Sequence, residues 1–442
     1  MLNFGDLLAI AAAAIAPAFA LATVFGPMVL AGGSATPLAL VLVSIVMACI
    51  AIGYQRLGER YPNAGSSYSW VRTAFGPGAG AYAAWVLIVA NILAVVATAV
   101  PAGAYTLALL APAQADSPLG GAVIGTAWVL AAGLLLYSGL RPTSRVTNVL
   151  LFAELAILAL GVAAAFRHRA IAHAAAGVSY PGGAALVGAM VIGIWMIDGW
   201  EVSASTAEEA EAATRAPGLS GVVGLGLSAV VLWVCMAAFM RIGTLSGFAV
   251  HEGDAMAYVG LQLGGNTWRV VIATTVLVSL AASLQTTLVY LTRSLYAMGR
   301  DGVLPSALGA LDRRDQPISA IVLITGAGMV FTLASGISPT IRPAYDFILN
   351  GTSAFLGILF LLTAAAAIRI FGAERRHPLT GIALPVLGTA ALAVLLGFSF
   401  VQDDLNTRIF VLTASLAGVP LALWRARVSQ GKPCAVTSAQ MQ

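Results

Sequence analysis

Apolar runs about as long as a bilayer is thick recur from one end of this 442-residue chain to the other, with only short polar gaps between them. A helix needs about 20 such residues to cross the hydrocarbon, and no other feature of the sequence limits the fold as tightly. Only 9% of the residues are charged, against roughly a quarter in an average soluble domain, so the chain lacks the polar surface that a water-soluble fold requires. The bilayer is its solvent. The reading is an all-α membrane protein of about twelve transmembrane helices, at 5–31, 36–56, 77–110, 120–139, 146–166, 183–207, 218–241, 269–298, 318–338, 343–369, 380–400 and 407–424. The first run has no basic stretch ahead of it and no small-residue cleavage pattern after it, and it is expected to be retained as a span.

The placement of charge reports topology. With the amino terminus inside, sixteen of the 22 basic residues fall on the inner side, and only Arg167, Arg169, Arg241, Arg269, Arg342 and Arg408 fall outside. That bias puts both termini in the cytoplasm of a cell-membrane protein. Cys49, Cys235 and Cys434 have neither metal nor redox spacing. No disulfide framework, metal site or cofactor is expected, and no nucleic-acid partner.

Two spans carry helix-unfriendly residues at their midpoints: Pro17 in the first, and Gly193 and Gly199 in the sixth. They lie five spans apart. Two inverted five-helix repeats, each with its first helix broken near the midplane, would have that relation, and the freed backbone groups could then bind a solute. The plainer alternative is a pair of unrelated kinks.

Three stretches carry a resemblance to a known family. ERYPNAGSSYSWVRTAFGPGAGAYAAW, from Glu59 to Trp85, resembles the signature between spans two and three of the amino acid/polyamine/organocation (APC) superfamily of transporters. GWEVSASTAEEAEAATRAPG, from Gly199 to Gly218, resembles their sixth span and its acidic loop, and LTRSLYAMGRDGVLP, from Leu291 to Pro305, the inner end of their eighth. The resemblance implies a LeuT-like core at 1–369 made of two inverted halves, about 1–166 and 183–369. Two added helices in 370–425 and a short cytoplasmic tail at 426–442 follow. It also implies a secondary transporter that moves amino acids or related small amines by alternating access, as a monomer or homodimer.

Ionisable groups at membrane depth are expensive and mark function by default. Asp198 and Glu201 lie in the interrupted part of span six, Glu154 in the middle of span five, and Asp346 near the start of span ten. Asp198 reads either as a counter-ion for a substrate ammonium or as a cap on its own broken helix. Trp195 matches the family position of an aromatic residue that closes over substrate, and Glu201 a glutamate that transmits closure. Glu201 reads equally as a structural acid. Glu154 stands where relatives carry a lysine whose charge replaces a sodium ion, so the sign is reversed here. A buried carboxyl group can exchange a proton near neutral pH, which makes H+ the expected coupling ion. Sodium held by Glu154 and a span-eight hydroxyl such as Ser283 is the alternative.

Relatives that take α-amino acids break their first span at a glycine-serine-glycine type stretch whose amides hold the substrate carboxylate. This chain has Ala16, Pro17, Ala18 and Phe19 instead, and proline donates no backbone hydrogen bond. Together with the extra acid Asp198, this tilts the expected substrate site, to which Gly199 of span six also belongs, toward amines, including putrescine-type substrates. The cytoplasmic Glu208, Glu209, Glu211 and Arg215, with Arg300 and Asp301, are either an inner gate or a solvated loop. A membrane enzyme would need a nucleophile and base, or metal ligands, gathered at depth. His168, His173, His251 and His377 all fall in loops, so the chain reads as no enzyme. A channel or a transport-inactive nutrient sensor is the remaining rival, and neither filter rings nor a regulatory domain is evident.

Overall fold

A computed structural model describes residues 1–168, 182–337 and 341–430, with the side chains of 341–346 and 429–430 left outside; Asp346 and His173 therefore fall outside the description. Among the described residues the chain is helical, and twelve helices are long and apolar enough to cross a membrane. Span one consists of Phe4–Ile15 and Pro17–Thr23 and runs on into Phe25–Gly32. Spans two to five are Thr36–Arg60, Pro77–Leu110, Pro118–Tyr137 and Leu140–Arg167. Span six is Gly183–Met196 followed by a 3-10 helix, Trp200–Glu209. Spans seven to twelve are Ala216–Met240, Ala255–Arg300, Ile318–Ser335, Ile341–Glu374, Leu384–Gln402 and Leu405–Gln430. The expected number of spans is borne out. Span eight starts earlier than its apolar run because a leading helical segment, interrupted at Gly264 and Gly265, joins it; Gly265 is in the left-handed region at φ +68°.

The two midspan breaks have separate local causes. In span one the helix stops at Ala16, held at φ +52°, and Pro17 begins the next segment. Proline disfavours helical geometry in the residue before it but suits the first helical position. In span six the interruption falls at 197–199, with Gly199 at φ +104°. Gly193, expected to share this break, is instead helical, and its missing side chain accommodates Met28 and Val43. The two breaks touch: a Cβ on Gly199 would stand 2.7 Å from the Ala14 carbonyl oxygen. Only glycine permits that approach.

Around this junction spans one, two, six and seven pack against one another, as do spans three, four, eight and nine. Contacts recur between helices five places apart: one with six, two with seven, three with eight and four with nine. Span five rests on spans one and eight, and span ten on span three. Spans eleven and twelve pack outside this core, against spans two, three and ten. The stretch between spans two and three forms a helix, Ser66–Phe75, packed on spans three and ten.

Candidate functional site

A small cavity of about 50 Å³ lies at the junction of the two breaks. Span one contributes Ala16 and Phe19, span six Trp195, Asp198, Gly199 and Glu201. Ser283 is also in the wall, so the structure brings most of the expected residues together; Pro17, Ala18 and Glu154 stand behind it. Wall residues not singled out from sequence include Asn91 and Thr98 of span three, Thr287 of span eight and Leu356 of span ten. Asn91 had a legible signal, an amide in the middle of an apolar helix. Thr98, Thr287 and Leu356 had none, since such residues occur throughout the chain.

Three polar side chains of the wall donate to backbone carbonyls. Asn91 Nδ2 donates to Leu87 O at 2.9 Å, Thr98 Oγ1 to Ala94 O at 2.8 Å and Thr287 Oγ1 to Ser283 O at 2.9 Å. Asp198 Oδ1 accepts from the Gly199 amide at 2.8 Å, which is the capping role open to it from sequence. Its side chain also faces the cavity. Glu201 is buried, and its Oε2 has no hydrogen-bond partner. Neither arginine nor lysine is among the described lining residues. Two carboxyl groups and the side-chain oxygens of Asn91, Thr98 and Thr287 line a space otherwise walled by Ile15, Phe19, Trp195, Val202 and Leu356. Such a surface suits a group rich in donors, an ammonium, attached to an apolar body.

Glu154 lies behind the break of span one. Its Oε1 accepts from the Ala18 amide at 2.7 Å and from Ser279 Oγ at 2.8 Å. Ser279 Oγ in turn accepts from the Phe19 amide at 3.3 Å. A side chain of span five thus caps the second segment of span one, directly and through a span-eight hydroxyl. That hydroxyl belongs to Ser279 and not to Ser283, which donates to Ala14 O at 3.4 Å. The groups that meet Oε1 are donors, whereas a hard cation requires oxygen lone pairs.

Access to the cavity differs on its two sides. On one, Trp195 separates it from a vestibule of about 650 Å³ whose walls include Pro27, Pro101 and Asp116. On the other, the face where the amino terminus lies, Trp200 stacks on Phe360 with centroids 5.5 Å apart, and Tyr54 meets both edge-on. Beyond this layer Glu209 pairs with Arg293 at 2.7 Å, Glu208 with Arg300 at 2.9 Å and Arg72 with Asp301 at 2.5 Å. The Ala64 amide also donates to Glu208. The acidic stretch after span six is therefore tied to span eight. The site is closed on this face, and on the other Trp195 lines both the cavity and the vestibule.

The profile of the family described as amino acid permease matches residues 2–419, nearly the whole chain. The chain belongs to the amino acid permease family. The permease is 26% identical over 339 residues to the branched-chain amino acid permease BcaP of Lactococcus lactis, a match covering 70% of this chain and 72% of that one. It is 27% identical over 288 residues to BcaP of Bacillus subtilis, covering 59% of each. An uncharacterized transporter of Mycobacterium tuberculosis is 26% identical over 386 residues, covering 84% of this chain and 83% of its own length. The permease is a multi-pass membrane transporter of amino acids or related small amines and not an enzyme.

Proposed function

We propose that this permease imports an aliphatic α-amino acid by alternating access, together with a proton carried by Glu154. The substrate ammonium sits against Asp198 and carbonyls freed at the break of span one. Its side chain packs on Trp195, Phe19 and Leu356. The names of the Lactococcus and Bacillus relatives favour a branched aliphatic side chain, and the apolar part of the wall suits one. The contacts between helices five places apart support two inverted halves. The basic-residue bias supports cytoplasmic termini, which makes the vestibule the outer entrance.

The observation that carries the coupling is the hydrogen bond from the Ala18 amide to Glu154 Oε1, because it links the charge of span five to the segment of span one that must move. Ionised, Glu154 holds Ala18 and, through Ser279, Phe19. A protonated carboxyl is a weaker acceptor, so proton binding loosens that grip. The resulting bias between outward-open and inward-open states equals the difference in proton affinity between them. With two donors already on Oε1, the buried and unpartnered Oε2 of Glu154 is the atom open to that proton.

Uptake into proteoliposomes under an imposed pH gradient tests this. Glu154→Gln is expected to abolish accumulation against a gradient while keeping exchange of labelled for unlabelled substrate; full accumulation by the variant would refute the assignment. The second reading, an amine permease, draws on the acceptor-rich wall beside Asp198. A thermal-shift screen separates the two, since a ligand stabilises the state it binds. Stabilisation by leucine, isoleucine or valine supports the first reading, and stabilisation confined to isoamylamine or putrescine the second.

A further inference from the structure

Residues 2–6 cross the face on which the amino terminus lies, and we propose that they form a strap that holds the exit on that face shut and must release the loop after span six before the site can open there. The strap rests on the alternating-access reading, but on neither the proton nor the substrate assignment.

The Leu2 amide donates to Glu209 O at 2.8 Å, and the Glu211 amide donates to Leu2 O at 2.9 Å. These two bonds make a one-residue parallel bridge between Leu2 and Ala210, the one β-type pairing among the described residues. Both side chains are buried. Four residues on, Asp6 Oδ1 accepts from Ser144 Oγ at 3.2 Å and from Asn148 Nδ2 at 3.0 Å, both on span five. Asn3 and Asp6 also cap each other's amides, which sets the direction in which the segment leaves span one. The strap is therefore anchored at one end to the loop after span six and at the other to span five.

The loop it grips is also held from the far side. The carboxylates of Glu208 and Glu209 reach Arg300 and Arg293 of span eight, while the backbone at 209 and 211 is taken by Leu2. Span eight and the strap thus hold the same few residues through different atoms, one by side chain and the other by main chain. Cavities lie on both sides of the strap: about 350 Å³ between Met1, Glu208 and Arg293, and about 260 Å³ between Met1, Leu2 and Leu140. Met1, Glu209 and Asp315 line both, so the two spaces meet where the strap joins the residues it grips. Breaking the ion pairs alone would leave the loop pinned by its main chain.

The test uses the full-length chain in detergent, with Cys49, Cys235 and Cys434 replaced and Ala64→Cys added. Ala64 is buried and lines the larger of these two cavities. The reporter is its rate of reaction with a charged thiol reagent. Leu2→Pro removes the donor to Glu209 O, and Glu211→Pro removes the donor to Leu2 O. Each is expected to speed labelling about fivefold, the scale of one net backbone hydrogen bond. Leu2→Ile keeps both bonds and the volume of the buried side chain, and is expected to label at the parent rate. Because the two proline variants attack one contact from opposite sides, either suffices if the other does not fold. Parent-rate labelling in the folded proline variants, while Glu208→Gln accelerates it, would overturn the strap. If Glu208→Gln also left the rate unchanged, the alternating-access reading would fall with it.

Discussion

Glu154 of span five and the Ala18 amide of span one, 136 residues apart in sequence, share a buried hydrogen bond of 2.7 Å at the break of the first helix. A proline at the start of a segment leaves the next amides without partners inside the helix. Here a carboxylate from another span and the hydroxyl of Ser279 take the amides of Ala18 and Phe19. The unwound segment is held by a group whose charge can change.

Ser279→Ala removes one of the two donors to Glu154 Oε1. Hydrogen bonds to the ionised form of an acid favour that form, so their loss makes protonation easier. The pH at which gradient-driven uptake is half-maximal is expected to rise by roughly one unit, the size of one charge-assisted bond. Ser283→Ala, which loses only a 3.4 Å bond to Ala14 O, is expected to leave the profile in place. A pH series of initial uptake rates for both variants is the check.

Asp198→Asn keeps an oxygen for the Gly199 amide but removes the charge facing the cavity. Losing one hydrogen bond to a charged group costs about 1.5–3 kcal/mol, so substrate Kd is expected to rise about 10- to 100-fold. Trp195→Ala, which opens the wall between cavity and vestibule, is expected to weaken binding by at least about tenfold through lost apolar contact. Titration calorimetry with the ligand found in the thermal-shift screen measures both.

Gly199→Ala places a Cβ 2.7 Å from Ala14 O at φ +104°. A side chain held in that region costs about 1–3 kcal/mol, and the clash pushes the two breaks apart. Lower thermal stability together with loss of transport is expected. Ala16→Gly runs the other way: Ala16 is already at φ +52°, and glycine occupies that region freely. It is expected to be neutral or to stabilise by up to about 1 kcal/mol.

Asp254 lies just outside span eight and caps it through the Ala257 amide at 2.9 Å. Burial pushes its carboxyl up from the ordinary value, while the amides of Ala257 and Met256, the Tyr105 hydroxyl and His251 pull it partly back. With the folded value above the unfolded one, the native state binds this proton more tightly. The resulting stabilisation is full below the unfolded value and is lost as pH rises through the folded value. Asp254→Asn keeps the cap and removes the titration, so it is expected to raise the melting temperature at neutral pH and to flatten its fall with rising pH. Melting curves across pH 4 to about 8 decide it.

Spans three and four show how far local signals reach. The third was legible to the residue, 77–110, because Gly76 and Pro77 start it and Pro112 follows just after its end. The fourth is displaced by two residues at both ends, since Pro118 is a better first helical residue than its apolar run suggested. In span six, Gly193 and Gly199 looked alike as breakers. The difference is tertiary: Gly193 stays helical against Met28 and Val43, while Gly199 has the Ala14 carbonyl pressed against it. Sequence groups Glu208 and Glu209 with Arg300 by charge alone and misses Arg293, because partners separated by 92 and 84 residues cannot be matched from spacing.

What the sequence determined by itself is whatever depends on a residue and its near neighbours. The bilayer as solvent, twelve crossings, a break beside Pro17 and carboxyl groups at membrane depth all follow from local hydropathy and backbone restriction. Which atoms meet was decided only by the tertiary structure. Ser279 and Ser283 lie four apart, on one face of the same helix, and sequence periodicity treats them as equivalent. The axial register of span eight against spans one and five brings Ser279 to Glu154 and leaves Ser283 at Ala14. That register is set by packing along whole helices, so no single stretch of sequence contains it.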